Sequence, residues 1–236
     1  GHACALIAAG QCEVALIAYG SVQRSKRARK LEGFGDTGTS ATQYEAVYAP
    51  LYPISFYAMV AQRYLHEYGA SLDDLGHVAL VAREWAKLNP KAFKREPLTI
   101  EEISASPMVS SPLRAADCCL VTDGGGAVVV TTLDRARKLR KAPVQVLGHA
   151  DTSTHDAMAS APDLLHHGSA ETGRRAMEMA SVGCADIDSL QIYDAFTINV
   201  LVGLENLGFC RPGEAAAFVR AGHTAPGGSL PTNTQG

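Results

Sequence analysis

The chain has 236 residues, 47% of them hydrophobic and 19% charged, with a net charge of −3. That is enough apolar material for a substantial core in one large domain or two ordinary ones, and the charge balance excludes a nucleic-acid-binding footprint. No apolar run reaches the ~20 residues of a membrane-spanning helix, and no signal peptide is visible.

The six cysteines (Cys4, Cys12, Cys118, Cys119, Cys184, Cys210) form no C-x-x-C pair. They read as free thiols of a cytoplasmic protein. Residues 1–12 (GHACALIAAGQC) are small and apolar, the second half of a helix stopped by Gly10. A chain that opens inside a helix reads as a piece of a longer one. Val14 to Tyr19 (VALIAY) reads as a fully buried strand. From Ser21 to about Pro53 the composition changes to a basic run, then glycines at 33, 35 and 38, then tyrosines at 44, 48 and 52. The basic run, Arg24 to Lys30, is either a solvated face or a positive rim for a phosphate-bearing ligand.

Ile54 to Tyr68 carries Ile54, Ala58, Ala61 and Leu65 at helical spacing and ends at Gly69. Ser71 with Asp74 makes a capping box for a second helix, which holds Trp85 and stops at Asn89-Pro90. Thr99 and Glu102 cap a short third one. Residues 21–116 thus form a mostly helical insertion between two strands. Leu120 to Val121 and Ala127 to Thr131 return to sheet on either side of Asp123 and Gly124 to Gly126. Those glycines read as a plain turn, because a phosphate loop would need a spacing they lack. Leu133 to Leu139 is a short polar helix, and Pro143 to Ala150 reads as a further strand.

Thr152 to Gly168 is a polar loop with His155, His166 and His167. With no carboxylate or cysteine seen at ligand spacing, these histidines read as solvated rather than as a metal site. Ala170 to Ala180 is a helix. The stretch Leu190 to Gly213 (LQIYDAFTINVLVGLENLGFCRPG) then opens on an apolar strand and sets a phenol and a carboxylate, Tyr193 and Asp194, where strand becomes helix. Asp194 reads as a group that orients its neighbours or as a helix N-cap. A short helix and a glycine-rich ending, SLPTNTQG, follow. The alternation is that of an α/β protein.

The pieces GQCEVALIAYGS, DGGGAVVV, ADIDSLQIYDAFTINVLVGLENLGFC and GGSLPTNTQG resemble the thiolase superfamily. They look most like its sterol-carrier-protein-type branch, also labelled lipid-transfer protein or acetyl-CoA acetyltransferase. The resemblance covers nearly all of the chain in order. It implies a thiolase-like α/β fold, two similar halves in a layered sandwich with an inserted helical loop domain. Residues 1–20 and 117–141 would belong to the first half, 21–116 to the loop domain and 142–236 to the second half. The family's nucleophilic cysteine would precede Gly1, and its Gly-His-Pro-Gly histidine would follow Gly236; Cys4 and Cys12 fall too late to replace the former.

Within the resemblance, Tyr193-Asp194-Ala195-Phe196 stands where thiolases have Asn-Glu-Ala-Phe and the sterol-carrier branch has His-Asp-Cys-Phe. The asparagine or histidine there orients a water in the oxyanion hole of a thioester enolate. A phenol is able to donate to an oxyanion or to act as acid or base. Asn233 matches the first asparagine of the family's Asn-x-Asn-Gly-Gly, with Gln235 in place of the second. Catalytic roles are thereby implied for Tyr193, Asp194 and Asn233. Contacts to substrate are implied for Cys119, for Met158 with Pro162 beside the thioester, for Phe196, and for Arg24 against the phosphates of coenzyme A.

The chemistry implied is the making or breaking of a carbon–carbon bond next to a CoA thioester, with coenzyme A as part of the substrate and no further cofactor. The first candidate is a thiolase-like acyltransferase. The second is a retro-aldolase acting on steroid-CoA-like β-hydroxyacyl thioesters with a small zinc-ribbon and OB-fold partner, and Tyr193 favours it. The third is a non-catalytic acyl-CoA or lipid carrier. A homodimer is expected.

Overall fold

A computed structural model describes residues 1–26, 40–155 and 158–236. In chain order its helices and strands are α1 (His2–Ala8), β1 (Val14–Val22), α2 (Ser40–Ala46), α3 (Ile54–Tyr68), α4 (Leu72–Leu88), α5 (Ile100–Ser104), β2 (Met108–Ser110), β3 (Leu113–Arg114), β4 (Asp123–Thr131), α6 (Leu133–Ala136), α7 (Ser169–Ala180), α8 (Thr197–Asn206) and α9 (Ala215–Arg220). The described residues fall into two compact units: 1–26, 120–151 and 175–181 in one, and 40–119, 152–155, 158–174 and 182–236 in the other.

The first unit is organised on an antiparallel ladder of β1 and β4, in register from Val14 opposite Thr131 to Val22 opposite Asp123. β-Branched residues such as Val128 and Val129 suit a pleated strand. The glycines expected to turn the chain lie inside β4 instead, with Gly124, Gly125 and Gly126 opposite Ser21, Gly20 and Tyr19. At Gly125 a Cβ would come within 2.8 Å of the Tyr19 carbonyl oxygen, so the missing side chain lets the two backbones close.

The expected burial of β1 is corrected. Leu16 is 69% and Tyr19 70% exposed, because β4 is the only strand paired with β1 among the described residues, and two strands alone cannot cover their own faces. The strand expected over 143–150 does not form either: no ladder partner lies alongside it among the described residues, and Val144 stays exposed. At the far end of the ladder the Asp123 carboxylate accepts the Arg24 and Ser25 backbone N–H groups at 2.9 and 3.1 Å. It also accepts the Ser25 hydroxyl. The Ser25 hydroxyl and the backbone donors hold its carboxyl below the usual carboxylate range.

The second unit packs α3, α4, α8 and α9 around one core, with Ala61, Tyr64, Leu75, Ile198, Leu201, Leu204 and Ala215 all fully buried. Apolar side chains at helical spacing bring these faces together, each large one stabilising by about 1.5–3 kcal/mol when buried. α3 ends at Gly69 in the left-handed conformation with φ 62°, as its sequence foretells. The Ser71–Asp74 capping box forms at the start of α4, with the Ser71 N–H donating to Asp74 Oδ2 at 2.7 Å. Asp74 is also buried, and its other oxygen takes the Arg220 guanidinium of α9. The Thr99–Glu102 box forms likewise.

Polar bonds tie the helices as well. The Tyr64 hydroxyl donates to Glu205 Oε1 at 2.6 Å, and the same oxygen accepts the Ala215 N–H at 3.1 Å. Burial, then the Glu205 carboxylate, pushes the Tyr64 phenol well above its ordinary pKa. Burial likewise pushes the neighbouring Cys210 thiol up to about 12, with Glu205 and Glu214 adding to it. The loop histidines do have a carboxylate nearby: Asp163 accepts from the Leu165 N–H at 2.7 Å and meets His166 at 3.1 Å. Asp163 closes a turn there. None of the six cysteines is joined in a disulfide among the described residues.

Candidate active site

The strand expected at Leu190 is reduced to a single parallel bridge between Leu190 and Thr232. The Leu190 N–H donates to the Pro231 carbonyl, and the Asn233 N–H donates back to the Leu190 carbonyl, both at 2.9 Å. Ile192 then lies against Gly203 of α8, where a Cβ would meet its side chain at 3.0 Å. Close approach at that glycine seats the Leu190–Asp194 segment on the buried helix.

Asn233 fastens this segment. Its backbone has φ 51°, a left-handed conformation that asparagine tolerates better than most residues. Its side chain accepts the Ile192 N–H at 2.8 Å through Oδ1 and donates to Asp194 Oδ2 at 2.9 Å through Nδ2. The N-cap reading of Asp194 is therefore corrected. α8 starts at Thr197 with Phe196 as its capping residue, and the Asp194 carboxylate is committed sideways to Asn233. Asp194 and Asn233 border a pocket whose apolar wall comes from Val78, Val81, Val200 and Val219.

The other flank is built by a backbone crossing. Cys118 bridges Phe196 in antiparallel fashion, and the Cys119 N–H donates to the Ala195 carbonyl at 2.9 Å. One residue earlier, Asp117 is buried and accepts the Thr197 hydroxyl at 2.9 Å and the Arg114 N–H at 2.9 Å. Burial raises the Asp117 carboxyl above its ordinary pKa, with these donors and Arg114 opposing.

Tyr193 is 76% exposed, projecting from the segment between Ile192 and the Asp194–Asn233 pair. Phe196, by contrast, is 3% exposed. The aromatic ring of Tyr57 on α3 lies on it, with centroids 4.7 Å apart and planes at 36°. Burial pushes the Tyr57 phenol up; a hydrogen bond with Asn199 of α8 works against that, and the phenols of Tyr193 and Tyr52 add a little to it.

Of the residues singled out from sequence, the structure thus brings together Tyr193, Asp194, Asn233, Phe196 and Cys119. Met158 lies in the same unit, in a 3-10 turn over Met158–Ser160 whose Ala159 N–H donates to the buried Glu45 at 2.6 Å. No hydrogen bond or ring contact joins it to Tyr193 among the described residues. Arg24 belongs to the first unit, where its backbone holds Asp123. Positions 27–30 of the basic run lie outside the described residues. Tyr57, Asn199 and Thr197 escaped the sequence reading. Tyr57 sits three residues after Ile54 on the same helical face, a spacing that signals only a core position.

Comparison with known proteins places this geometry. Residues 150–236 match the family model described as a thiolase C-terminal domain-like domain. The chain is 39% identical over 218 residues to a steroid side-chain-cleaving aldolase of Thermomonospora curvata, covering 86% of this chain and 56% of that protein. It is 40% identical over 192 residues to a 17-hydroxy-3-oxo-4-pregnene-20-carboxyl-CoA lyase of Mycobacterium tuberculosis, covering 78% of this chain and 49% of that protein. It thus spans about half the length of these curated relatives. Among solved structures, the Ltp2-ChsH2(DUF35) aldolase superposes with a TM-score of 0.87 at 34% identity, over 99% of this chain and 61% of that one. The chain belongs to the thiolase superfamily, in its sterol-carrier-protein-type branch.

Proposed function

We propose that the protein containing this chain is a carbon–carbon lyase that cleaves the side chain of a β-hydroxyacyl-CoA thioester of the steroid-CoA type by a retro-aldol reaction. The observation that carries this reading is Tyr193: an exposed phenol stands beside the Asp194–Asn233 pair, at the position where thiolases carry an oxyanion-hole asparagine or histidine. The two relatives named as a steroid aldolase and a CoA lyase support it.

In the proposed step Tyr193, as its phenolate, takes the proton of the β-hydroxyl. The electrons of that O–H bond form the new carbonyl, the Cα–Cβ bond breaks, and its electrons pass into the thioester enolate. Protonation of the enolate at Cα completes the products, a ketone or aldehyde and a shortened acyl-CoA. Asn233 fixes the Asp194 carboxylate at the edge of the site, and Cys119 and Phe196 form a wall for the acyl group. Met158 and Arg24 are proposed as contacts to the thioester arm and to the phosphates of coenzyme A, which enters as part of the substrate; no other cofactor is invoked. We assign residues 1–20 and 117–141, 21–116 and 142–236 to the first half, the loop domain and the second half of a thiolase-like protein. A homodimer in the cytoplasm, working with a small zinc-ribbon and OB-fold partner, completes the proposal; the two-component name of the superposed Ltp2-ChsH2(DUF35) aldolase supports such a partner.

The test is Tyr193→Phe in the full-length protein with its partner, assayed for release of the carbonyl product. A loss of about 100-fold or more is expected, as for removal of a general base. Unchanged turnover would remove Tyr193 from the reaction. CoA-dependent thiolysis of a 3-ketoacyl-CoA, with no cleavage of the β-hydroxyacyl-CoA, would favour the acyltransferase reading instead.

A further inference from the structure

Nothing grips the Tyr193 ring itself. Among the described residues it makes no hydrogen bond or ring contact, and it is largely exposed. Its place is therefore set by the backbone that carries it, and that backbone is tied on both sides. Upstream, Asn233 accepts the Ile192 N–H at 2.8 Å and donates to Asp194 at 2.9 Å. Downstream, the Ala195 carbonyl accepts the Cys119 N–H at 2.9 Å. Two residues further on, the Thr197 hydroxyl donates to Asp117 Oδ1 at 2.9 Å, with both side chains buried.

We propose that Asp117 and Thr197 form a positioning pair for Tyr193: the carboxylate holds the start of α8 through the Thr197 hydroxyl and so fixes the far end of the segment that carries the phenol. The inference rests on the reading of Tyr193 as the base.

Asp117 suits an anchor because it is itself held. Its Oδ2 accepts the Arg114 N–H at 2.9 Å, and Arg114 stands in β3 opposite Met108 of β2. The turn leading to Asp117 is closed by the Ala115 N–H on the Pro107 carbonyl at 2.8 Å. The Ala116 N–H adds a bond to the Ser106 hydroxyl at 3.3 Å. At the other end, Thr197 is the first residue of α8, whose capping residue Phe196 makes no side-chain cap bond. A carboxylate from a distant segment thus serves that helix start, where negative charge is favoured. A hydroxyl-to-carboxylate bond is stronger than a neutral one, and a buried acceptor that loses its donor finds no water to replace it. No bond forms or breaks at Asp117 or Thr197, so both are positioning residues.

The experiment compares Thr197→Val, Thr197→Ser and Tyr193→Phe, alone and combined, in the full-length protein with a β-hydroxyacyl-CoA substrate. Thr197→Val keeps the shape and removes only the hydroxyl. The expected result is a fall in kcat of about 10- to 100-fold, the scale of a base displaced by a fraction of an ångström to one ångström. KM is expected to stay within about twofold, because the pair is buried away from substrate. Thr197→Ser restores the donor and is expected to recover most of kcat. In the Tyr193→Phe background Thr197→Val is expected to add nothing, since the group it positions is gone. If Thr197→Val fails to fold, Asp117→Asn carries the same readout with a smaller fall, because a neutral acceptor takes the place of a charged one. An unchanged kcat in Thr197→Val beside an inactive Tyr193→Phe overturns the positioning role while leaving the base in place. A rise in KM alone, equal losses in Thr197→Ser and Thr197→Val, or full additivity with Tyr193→Phe overturns it too. A fully active Tyr193→Phe removes the base itself and this inference with it.

Discussion

The β1–β4 ladder and helix α8 are alike in sequence and opposite in surroundings. Both are rich in aliphatic residues and hold a single charge each, Asp123 in the ladder and Glu205 in α8. Along α8 every residue from Thr197 to Leu204 except Asn199 is buried, whereas Leu16, Tyr19, Val128 and Val129 are all at least 60% exposed. Apolar composition states what a segment needs, and only its neighbours decide whether the need is met. The helix meets it with α3, α4 and α9; among the described residues the ladder has only itself.

Substitutions that treat the two regions equally sharpen this contrast. Leu204→Ala, in the core beneath the site, is expected to cost about 2–5 kcal/mol of stability in denaturant unfolding. A smaller cost than that of any ladder substitution would break the comparison. Next in size is Arg220→Met, which takes the guanidinium from the buried Asp74 carboxylate. Asp74 keeps its Ser71 donors and the arginine is half-exposed, so the expected loss is about 1–2 kcal/mol rather than that of a fully buried pair. Asp74→Asn in the Arg220→Met background should recover part of it.

A third measurement concerns pH. Burial first, then the positive charge of His155 and His166, lowers the pKa of His167, with Asp163 opposing. The folded chain therefore takes up this proton at lower pH than the unfolded chain. The stability it contributes is fully present above about pH 6.5 and is lost as the pH falls through the lowered value. His167→Gln is expected to flatten the stability profile on that acid side. A profile unchanged by the substitution would show that His167 shares the solvent of its neighbour His166. The smallest effect is reserved for the ladder: Val129→Thr should change stability by no more than about 0.5 kcal/mol. A loss approaching that of Leu204→Ala would mean that a further layer covers β4.

The helices of the second unit were legible because their stops and caps are local. Ser71 with Asp74, Thr99 with Glu102 and Gly69 each act over a few residues of chain. Strand positions were harder, because a strand is defined by a partner. Only the second half of β4, from Ala127, was sited correctly, and its glycines misled, since Gly125 serves to admit the opposing Tyr19 carbonyl, a contact across the ladder. Within the site, Tyr193, Asp194 and Asn233 stood out through the motifs that carry them. Their bonding did not: the approach of Asn233 to Asp194 depends on how the last loop lies along Leu190. Tyr57 was illegible for the opposite reason, since helical periodicity absorbs any aromatic residue on an inward face.

Asn233 has one more consequence. The position asks for a backbone at φ 51°, an acceptor for the Ile192 N–H and a donor for Asp194. Glycine satisfies the first demand and neither of the others. Aspartate offers the acceptor but sets a second negative charge against Asp194, and glutamine moves both polar atoms one bond too far. Of the ordinary side chains only asparagine answers all three, so the carboxylate of Asp194 is aimed before any ligand arrives. The rotational freedom it would otherwise surrender on binding has already been given up in folding.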